Sequence, residues 1–186
     1  MKKTQLAAAA LGTVMAMTGT ASAHGPARLK TQQTVTLDAT PAEVWAVIGH
    51  FDDMGWHPAI ARTTMTPEDA PADVPEASTR VLTLVADSGT PTITEMLTGL
   101  DDKKMTYRYI ITQVEPAVLP VTNYASTLMV TDNGGRAEVT WKGGFYRGFP
   151  NNDPPAELND DAALAAVNGV YTAGLDALAE RFGTVE

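Results

Sequence analysis

The chain has 186 residues with 13 basic and 22 acidic side chains, a formal net charge of −9, and no cysteine. The absence of cysteine excludes disulfides, thiolate catalysis, zinc–thiolate sites and C-x-x-C-H haem attachment. The acidic balance excludes an extended nucleic-acid footprint, so no nucleic-acid partner is expected.

The first 23 residues read as a targeting segment. Lys2 and Lys3 precede an apolar run over 6–17, and Ala21-Ser22-Ala23 fits the small-x-small cleavage rule. We read a signal peptide over 1–23, cleaved after Ala23, and one domain over 24–186. The apolar run is short for a membrane span and has the wrong flanks, so no span is expected after cleavage. No cysteine follows it to carry a lipid anchor. Removing Lys2 and Lys3 leaves 11 basic against 22 acidic side chains, a charge near −11. A domain of this size buries about two thirds of its unfolded surface, enough to be stable without disulfides.

Residues 29–38 alternate Thr31, Gln33, Val35 and Leu37 against Gln32, Thr34 and Thr36, a half-buried strand. Thr40-Pro41-Ala42-Glu43 is a helix start with a Thr cap, Pro at the first position and Glu at the third. A short apolar helix follows and Gly49 ends it. Residues 51–55 add a further helical turn, and Trp56-His57-Pro58 leads into an extended segment. Residues 66–79, rich in Pro, Ala and acids, form an exposed loop.

Strands over 80–86 and 92–99 flank a hairpin turn at 87–91, and residues 105–113 form another strand. Strands over 123–130 and 136–145 flank Asp132-Asn133-Gly134-Gly135, a strong hairpin signal. An irregular stretch over 146–158 leads to the last element. There Leu164, Val167, Tyr171, Leu175, Leu178 and Phe182 recur at steps of three and four, one stripe of a helix over 159–182. Asn159 or Asp160 caps its start, Arg181 lies in its last turn and Gly183 stops it. The order is α+β: helices on one face of an antiparallel sheet of about seven strands.

Several of these residues carry a family resemblance. Pro41-x-x-Val44-Trp45-x-x-Ile48-Gly49-x-Phe51, Trp56-His57-Pro58, Arg80-x-Leu82-x-Leu84 and Glu95-x-Leu97 resemble the START/Bet v 1-like (SRPBCC) superfamily and its polyketide cyclase/dehydrase branch. The resemblance implies a helix-grip fold, a curved antiparallel sheet wrapped around a long C-terminal helix. It also implies an inner ligand cavity with the segment around His57 at its mouth. His24-Gly25-Pro26, Trp141-x-x-x-Phe145-Tyr146-Arg147-Gly148, Asn152-x-Pro154-Pro155 and Leu158-Asn159-Asp160 resemble the MxaD subfamily of methanol oxidation proteins. That narrower resemblance implies a periplasmic protein associated with methanol dehydrogenase and the cytochrome c that accepts its electrons.

Glu95 shares a strand face with Ile93 and Leu97. Burial there would raise its pKa and suit it to acid–base work. A turn centred near Ser88 also sets Arg80 opposite it, and a cross-strand ion pair is the more ordinary outcome. His57 is either a proton shuttle or a packed, hydrogen-bonded side chain; His50 has no partner spacing. If the protein is an enzyme, Glu95 and His57 are its acid and base.

The expected cavity wall comprises Trp56, His57, Arg80, Glu95, Tyr107, Tyr109, Tyr124, Trp141 and Tyr171. Gly169 and Gly174 lie inside the long helix at a cost in propensity, a sign of close packing or of a gap. Phe145, Tyr146 and Arg147 suit either a protein interface or a strand end that caps the core. The oxygen-rich run from Asn151 to Asp161 lacks calcium-loop spacing and reads as capping and solvated loop. An N-terminal His24 could chelate copper, but no motif supplies a second ligand.

We therefore expect no metal and no cofactor. The leading expectation is a non-enzymatic accessory protein of a methanol dehydrogenase. The alternatives are a carrier of a small apolar ligand and a cyclase- or dehydratase-type enzyme.

Overall fold

Seven antiparallel strands in the order β1-β7-β6-β5-β4-β3-β2 form one sheet, with β1 and β2 at its edges. A computed structural model describes residues 25–184; the signal segment, its cleavage site and His24 lie outside them. The strands are β1 (Leu29–Leu37), β2 (Ile60–Met65), β3 (Thr79–Leu84), β4 (Thr92–Asp101), β5 (Thr106–Val114), β6 (Val121–Asn133) and β7 (Arg136–Arg147). Among the described residues two α-helices, α1 (Pro41–Ile48) and α2 (Asp160–Phe182), and two short 3-10 turns complete the fold.

Local chemistry sets the boundaries. Thr40 and Glu43 form a full capping box: the Glu43 N–H donates to Thr40 Oγ1 at 3.4 Å and the Thr40 N–H to Glu43 Oε2 at 2.8 Å. Gly134 and Gly135 carry φ of 67° and 91° in the β6–β7 hairpin, where the Gly135 N–H donates to Asp132 Oδ1 at 2.6 Å. Asn159 caps α2 through the Ala162 N–H at 2.8 Å, and Gly183, at φ 78°, ends it.

Residues 51–55 are a correction to the sequence reading. They form successive turns rather than helix, because the Asp53 carboxylate takes the Gly55 N–H at 2.7 Å and bends the chain.

The inward rows of the sheet receive α2. Ala163, Val167, Tyr171, Gly174, Leu175 and Leu178 are its buried positions, while Leu164 and Phe182 at the flank of the expected stripe are only partly buried. By length and composition α2 could cross a bilayer; here those buried positions lie within the core. It is also tied to the edge strand. Gln33 Nε2 donates to the Asn168 carbonyl at 3.1 Å, and Thr172 Oγ1 donates to Gln33 Oε1 at 3.1 Å. The Asp38 N–H donates to the Gly183 carbonyl at 3.1 Å, fixing the far end.

The two helix glycines sit in opposite environments. A Cβ on Gly174 would lie 2.7 Å from His57 Cδ2 and 2.9 Å from Trp141 Cζ3, whereas one on Gly169 meets nothing within 4 Å. The sheet therefore presses on the helix at Gly174, and Gly169 faces open space. We predict that Gly169→Ala stabilises the protein by up to about 1 kcal/mol through helix propensity. Gly174→Ala has the same propensity gain but forces His57 and Trp141 aside, a net loss of about 1–3 kcal/mol. Urea denaturation of the two variants checks this.

Candidate functional site

Register puts Arg80 of β3 opposite Glu95 of β4, both pointing inward. Arg80 is 0 % exposed and Glu95 is 5 % exposed. Arg80 Nε donates to Glu95 Oε2 at 2.8 Å, Nη2 lies 2.6 Å from the same oxygen, and Nη1 donates to the Phe51 carbonyl at 2.8 Å. Nη2 makes no well-angled hydrogen bond, but the ion-pair contact meets its charge. The guanidinium also lies over the rings of Phe51 at 4.2 Å and Tyr109 at 5.4 Å.

Burial raises the Glu95 carboxyl above its ordinary value, and the charge and hydrogen bond of Arg80 offset only part of that rise. Burial likewise works against the Arg80 cation, and the Glu95 charge restores it. Geometry decides the state. Arg80 makes no other salt bridge among the described residues, so protonating Glu95 would strand a fully buried cation. Glu95 is therefore ionised and committed to its partner.

His57 is 1 % exposed rather than at an open mouth. Its Nδ1 accepts the Ala59 N–H at 3.2 Å and its Nε2 lies 3.0 Å from the Val170 carbonyl. A carbonyl can only accept, so Nε2 carries the proton and the ring is neutral. Both nitrogens are occupied. Burial is the main cause that lowers the His57 pKa, Arg80 adds to it, and the bond to Val170 opposes both.

The aromatic residues form a connected polar chain. Tyr124 and Tyr171 hydroxyls are 2.8 Å apart, and Tyr171 donates to Ser126 Oγ at 3.0 Å. Ser126 in turn donates to the Lys142 carbonyl at 2.9 Å. Trp141 Nε1 is shared between Ser126 Oγ and the Tyr109 hydroxyl, each at 3.1 Å. Trp141 and Tyr171 stack with centroids 4.5 Å apart. Burial raises the Tyr109 and Tyr124 hydroxyls well above their ordinary value and pushes Tyr171 up to about 12. These groups are neutral hydrogen-bonding partners at any ordinary pH.

Between them lies an inner cavity of about 90 Å³. Of the nine residues expected in its wall, His57, Glu95, Tyr109, Tyr124 and Trp141 line it. The other four do not. Arg80 and Tyr107 sit behind the wall in a cation–π contact, and Tyr171 is stacked behind Trp141. Trp56 packs on Trp141 and His57, with its Nε1 buried and without a hydrogen-bond partner among the described residues. The volume is far below the roughly 300–1,000 Å³ of a typical ligand pocket. It suits a few waters or a molecule of a few heavy atoms. The Tyr109 hydroxyl oxygen accepts from Trp141 Nε1, and Tyr109 belongs to this wall.

The interface reading of residues 145–147 needs correcting. Phe145 is 0 % exposed and stacked on Tyr124, so it is core. Arg147 is 9 % exposed, with its guanidinium spent on the carbonyls of Phe149 and Asn151, both at 2.8 Å, and on Asp160 at 3.3 Å. It locks the approach to α2 and cannot also reach a partner. Tyr146 alone is half-exposed, with Arg28 over its ring at 5.6 Å. Among the described residues no three His, Asp or Glu side chains gather to hold a metal.

Sequence reasoning missed Ser126 and Gly143. Ser126 is a lone polar residue in the inward file Tyr124-Ser126-Leu128, a signal available in the alternation. A Cβ at Gly143 would fall on the Tyr171 hydroxyl, so this gap in the inward row of β7 admits the tyrosine tip.

A curved antiparallel sheet gripping a long C-terminal helix defines the helix-grip, Bet v 1-like class. The chain belongs to the polyketide cyclase / dehydrase and lipid transport family, whose model matches residues 28–183. Among solved structures it is similar to the protein XoxI from Bacillus cereus, at 28 % identity and a TM-score of 0.65 over 82 % of this chain and 94 % of that one. A protein from Thermobifida fusca is 25 % identical with a TM-score of 0.63, over 83 % and 93 % of the two chains. Ara h 8.0201, at 16 % identity, a TM-score of 0.64 and coverage of 83 % and 97 %, shares the fold. No curated protein matches the chain.

Two predictions follow from the buried charges. Arg80→Met leaves Glu95 buried without a partner and costs about 3–5 kcal/mol, whereas Arg80→Met combined with Glu95→Leu recovers most of that loss; additive losses in urea denaturation would contradict the pairing. The folded protein holds His57 neutral while the unfolded chain takes up a proton near the ordinary value of 6.5. The resulting stability is complete above that value and is lost as pH falls below it. The urea midpoint should fall between about pH 7.5 and about pH 5.5, and His57→Gln should remove that part of the slope.

Proposed function

We propose that this protein is a non-enzymatic periplasmic accessory factor of a methanol (or similar alcohol) dehydrogenase, aiding transfer of electrons to the dehydrogenase's cytochrome c. The partner assignment rests on the resemblance of the motifs at 24–26, 141–148, 152–155 and 158–160 to the MxaD subfamily. The observation that carries the non-enzymatic part is the state of the candidate acid–base pair. Glu95 is ionised and bound by Arg80, and both His57 nitrogens are occupied. Neither can give or take a proton without dismantling its own support. Such a protein acts through its surface and needs no cofactor.

One observation favours a second reading, a carrier of a very small ligand. The cavity of about 90 Å³ is apolar apart from a few groups, and the Tyr109 ring and hydroxyl form part of its wall. A ligand of drug or lipid size would need α2 to lift away from the sheet.

The experiment is cytochrome c reduction by purified methanol dehydrogenase, with and without the protein over 24–186, across ionic strength. We expect a rate increase that fades with salt, since steering by surface charge is screened. No increase, with no complex at micromolar concentrations, would overturn the accessory reading.

A further inference from the structure

The face of the sheet turned away from α2 carries a charge pattern opposite to that of the whole protein. A shallow trough of about 550 Å³ crosses β1, β7, β6, β5 and β4 there. Arg28, Lys30, Arg108 and Lys142 are all in its lining, and no acidic residue is. All four are exposed. None takes part in a salt bridge among the described residues.

The register explains why they converge. Lys142 pairs with Gln32 on one side and with Thr127 on the other, and Thr127 pairs with Arg108. Lys30 pairs with Gly144, which pairs with Ala125. One row of the face thus bears long basic side chains, and the next has a nearly bare floor. Arg28 lies across that floor, donating to the Gly144 carbonyl at 2.9 Å. The nearest acid on the outward row of β7 is Glu138, four residues from Lys142 and bonded by Asn133 Nδ2 at 3.3 Å.

None of the four is directly opposite another in the register, but four cations gathered on one face with no acid among them make a local field of one sign. A chain with 22 acidic residues could have interleaved one here, yet the patch has none. A counter-charge supplied from outside resolves the pattern. We propose that this outer face is a docking surface for an acidic patch on a partner protein, with Arg28, Lys30, Arg108 and Lys142 as its recognition residues. The trough is too open to enclose a small ligand, which buries most of its surface in its pocket. An extended polyanion, whether a lipid surface or a nucleic acid, would reach past the patch onto a body whose net charge is −9. A confined run of carboxylates fits without that penalty. As the contact surface of the accessory factor this inference rests on that reading; as a carboxylate-binding face it can be tested apart from it.

The test titrates the isotopically labelled protein with an oligoglutamate of about ten residues at low salt, following backbone amide shifts. The shifts should cluster on the outward rows of β1, β5, β6 and β7. Lys30→Glu with Lys142→Glu should weaken binding at least about tenfold. Arg62→Glu with Lys103→Glu, an equal change of net charge at exposed sites outside the trough, should weaken it less than about twofold. Equal weakening by the two pairs, dispersed shifts, or binding to phosphatidylglycerol vesicles but not to the peptide would overturn the proposal. The same variants in the dehydrogenase assay separate the two readings. Stimulation that survives Lys30→Glu with Lys142→Glu contradicts the docking face and leaves the accessory role. Patch-specific peptide binding without stimulation contradicts the accessory role and leaves the docking face.

Discussion

The buried Arg80–Glu95 pair is the constraint around which the interior is arranged. A guanidinium at 0 % exposure is tolerable only if its charge is met. Glu95 meets the charge and takes the Nε–H, the Phe51 carbonyl takes a second N–H, and the rings of Phe51, Tyr107 and Tyr109 cover its faces. That arrangement fixes where the turn after α1 lies, because its Phe51 carbonyl must point at β3. It also fixes the β3–β4 register, since a slip of one strand by one residue would turn one charge to the outer face and leave the other buried alone. The pair is weak evidence of stability in itself. Its effect is to single out one packing among many apolar alternatives.

From that pair the packing runs to α2. Tyr109 receives Trp141 Nε1, Trp141 stacks on Tyr171, and Tyr171 closes the polar chain through Ser126 and Tyr124. Two glycines let the layers approach: Gly143 makes room for the Tyr171 tip, and Gly174 admits His57 and Trp141 against the helix. The seating of α2 is therefore set by side-chain shape, and what remains is a hollow of about 90 Å³. Trp141 stacked on Tyr171 fills much of the space between sheet and helix. An interior so closed offers little to a bulky substrate, which moves functional attention to the outside of the sheet.

Much of this was legible in the sequence because it obeys local rules. Thr40 to Glu43 announced the start of α1, Asn133-Gly134-Gly135 announced the β6–β7 turn, and steps of three and four announced α2. Even the Arg80–Glu95 contact followed from alternation plus a turn centred near Ser88. What failed depended on longer-range packing. Phe145-Tyr146-Arg147 reads as interface by residue type, although Phe145 shares the inward parity of Trp141 and Gly143. The burial of Arg147 needs residues 149–151 and Asp160 to fold over it, which no local pattern specifies. Gly174 was visible as an anomaly, but what it touched was not. The outer basic row was scattered over Arg28, Lys30, Arg108 and Lys142, and only the strand order brings these together.

The family's fold is shared by proteins of many activities, so function has to be argued from the state of particular groups. In this chain that state is a matter of one proton. If Glu95 is ionised and held by Arg80, its carboxylate is committed to that ion pair, as the proposed accessory role requires. If Glu95 is protonated near neutral pH, the cavity holds a general acid. The most direct measurement is the carboxyl-carbon chemical shift of Glu95, followed by NMR from about pH 5 to about pH 8. The shift should hold the ionised value across the whole range, unchanged until the protein unfolds. A titration step within that range would contradict it, and would return the interior to consideration as an active site.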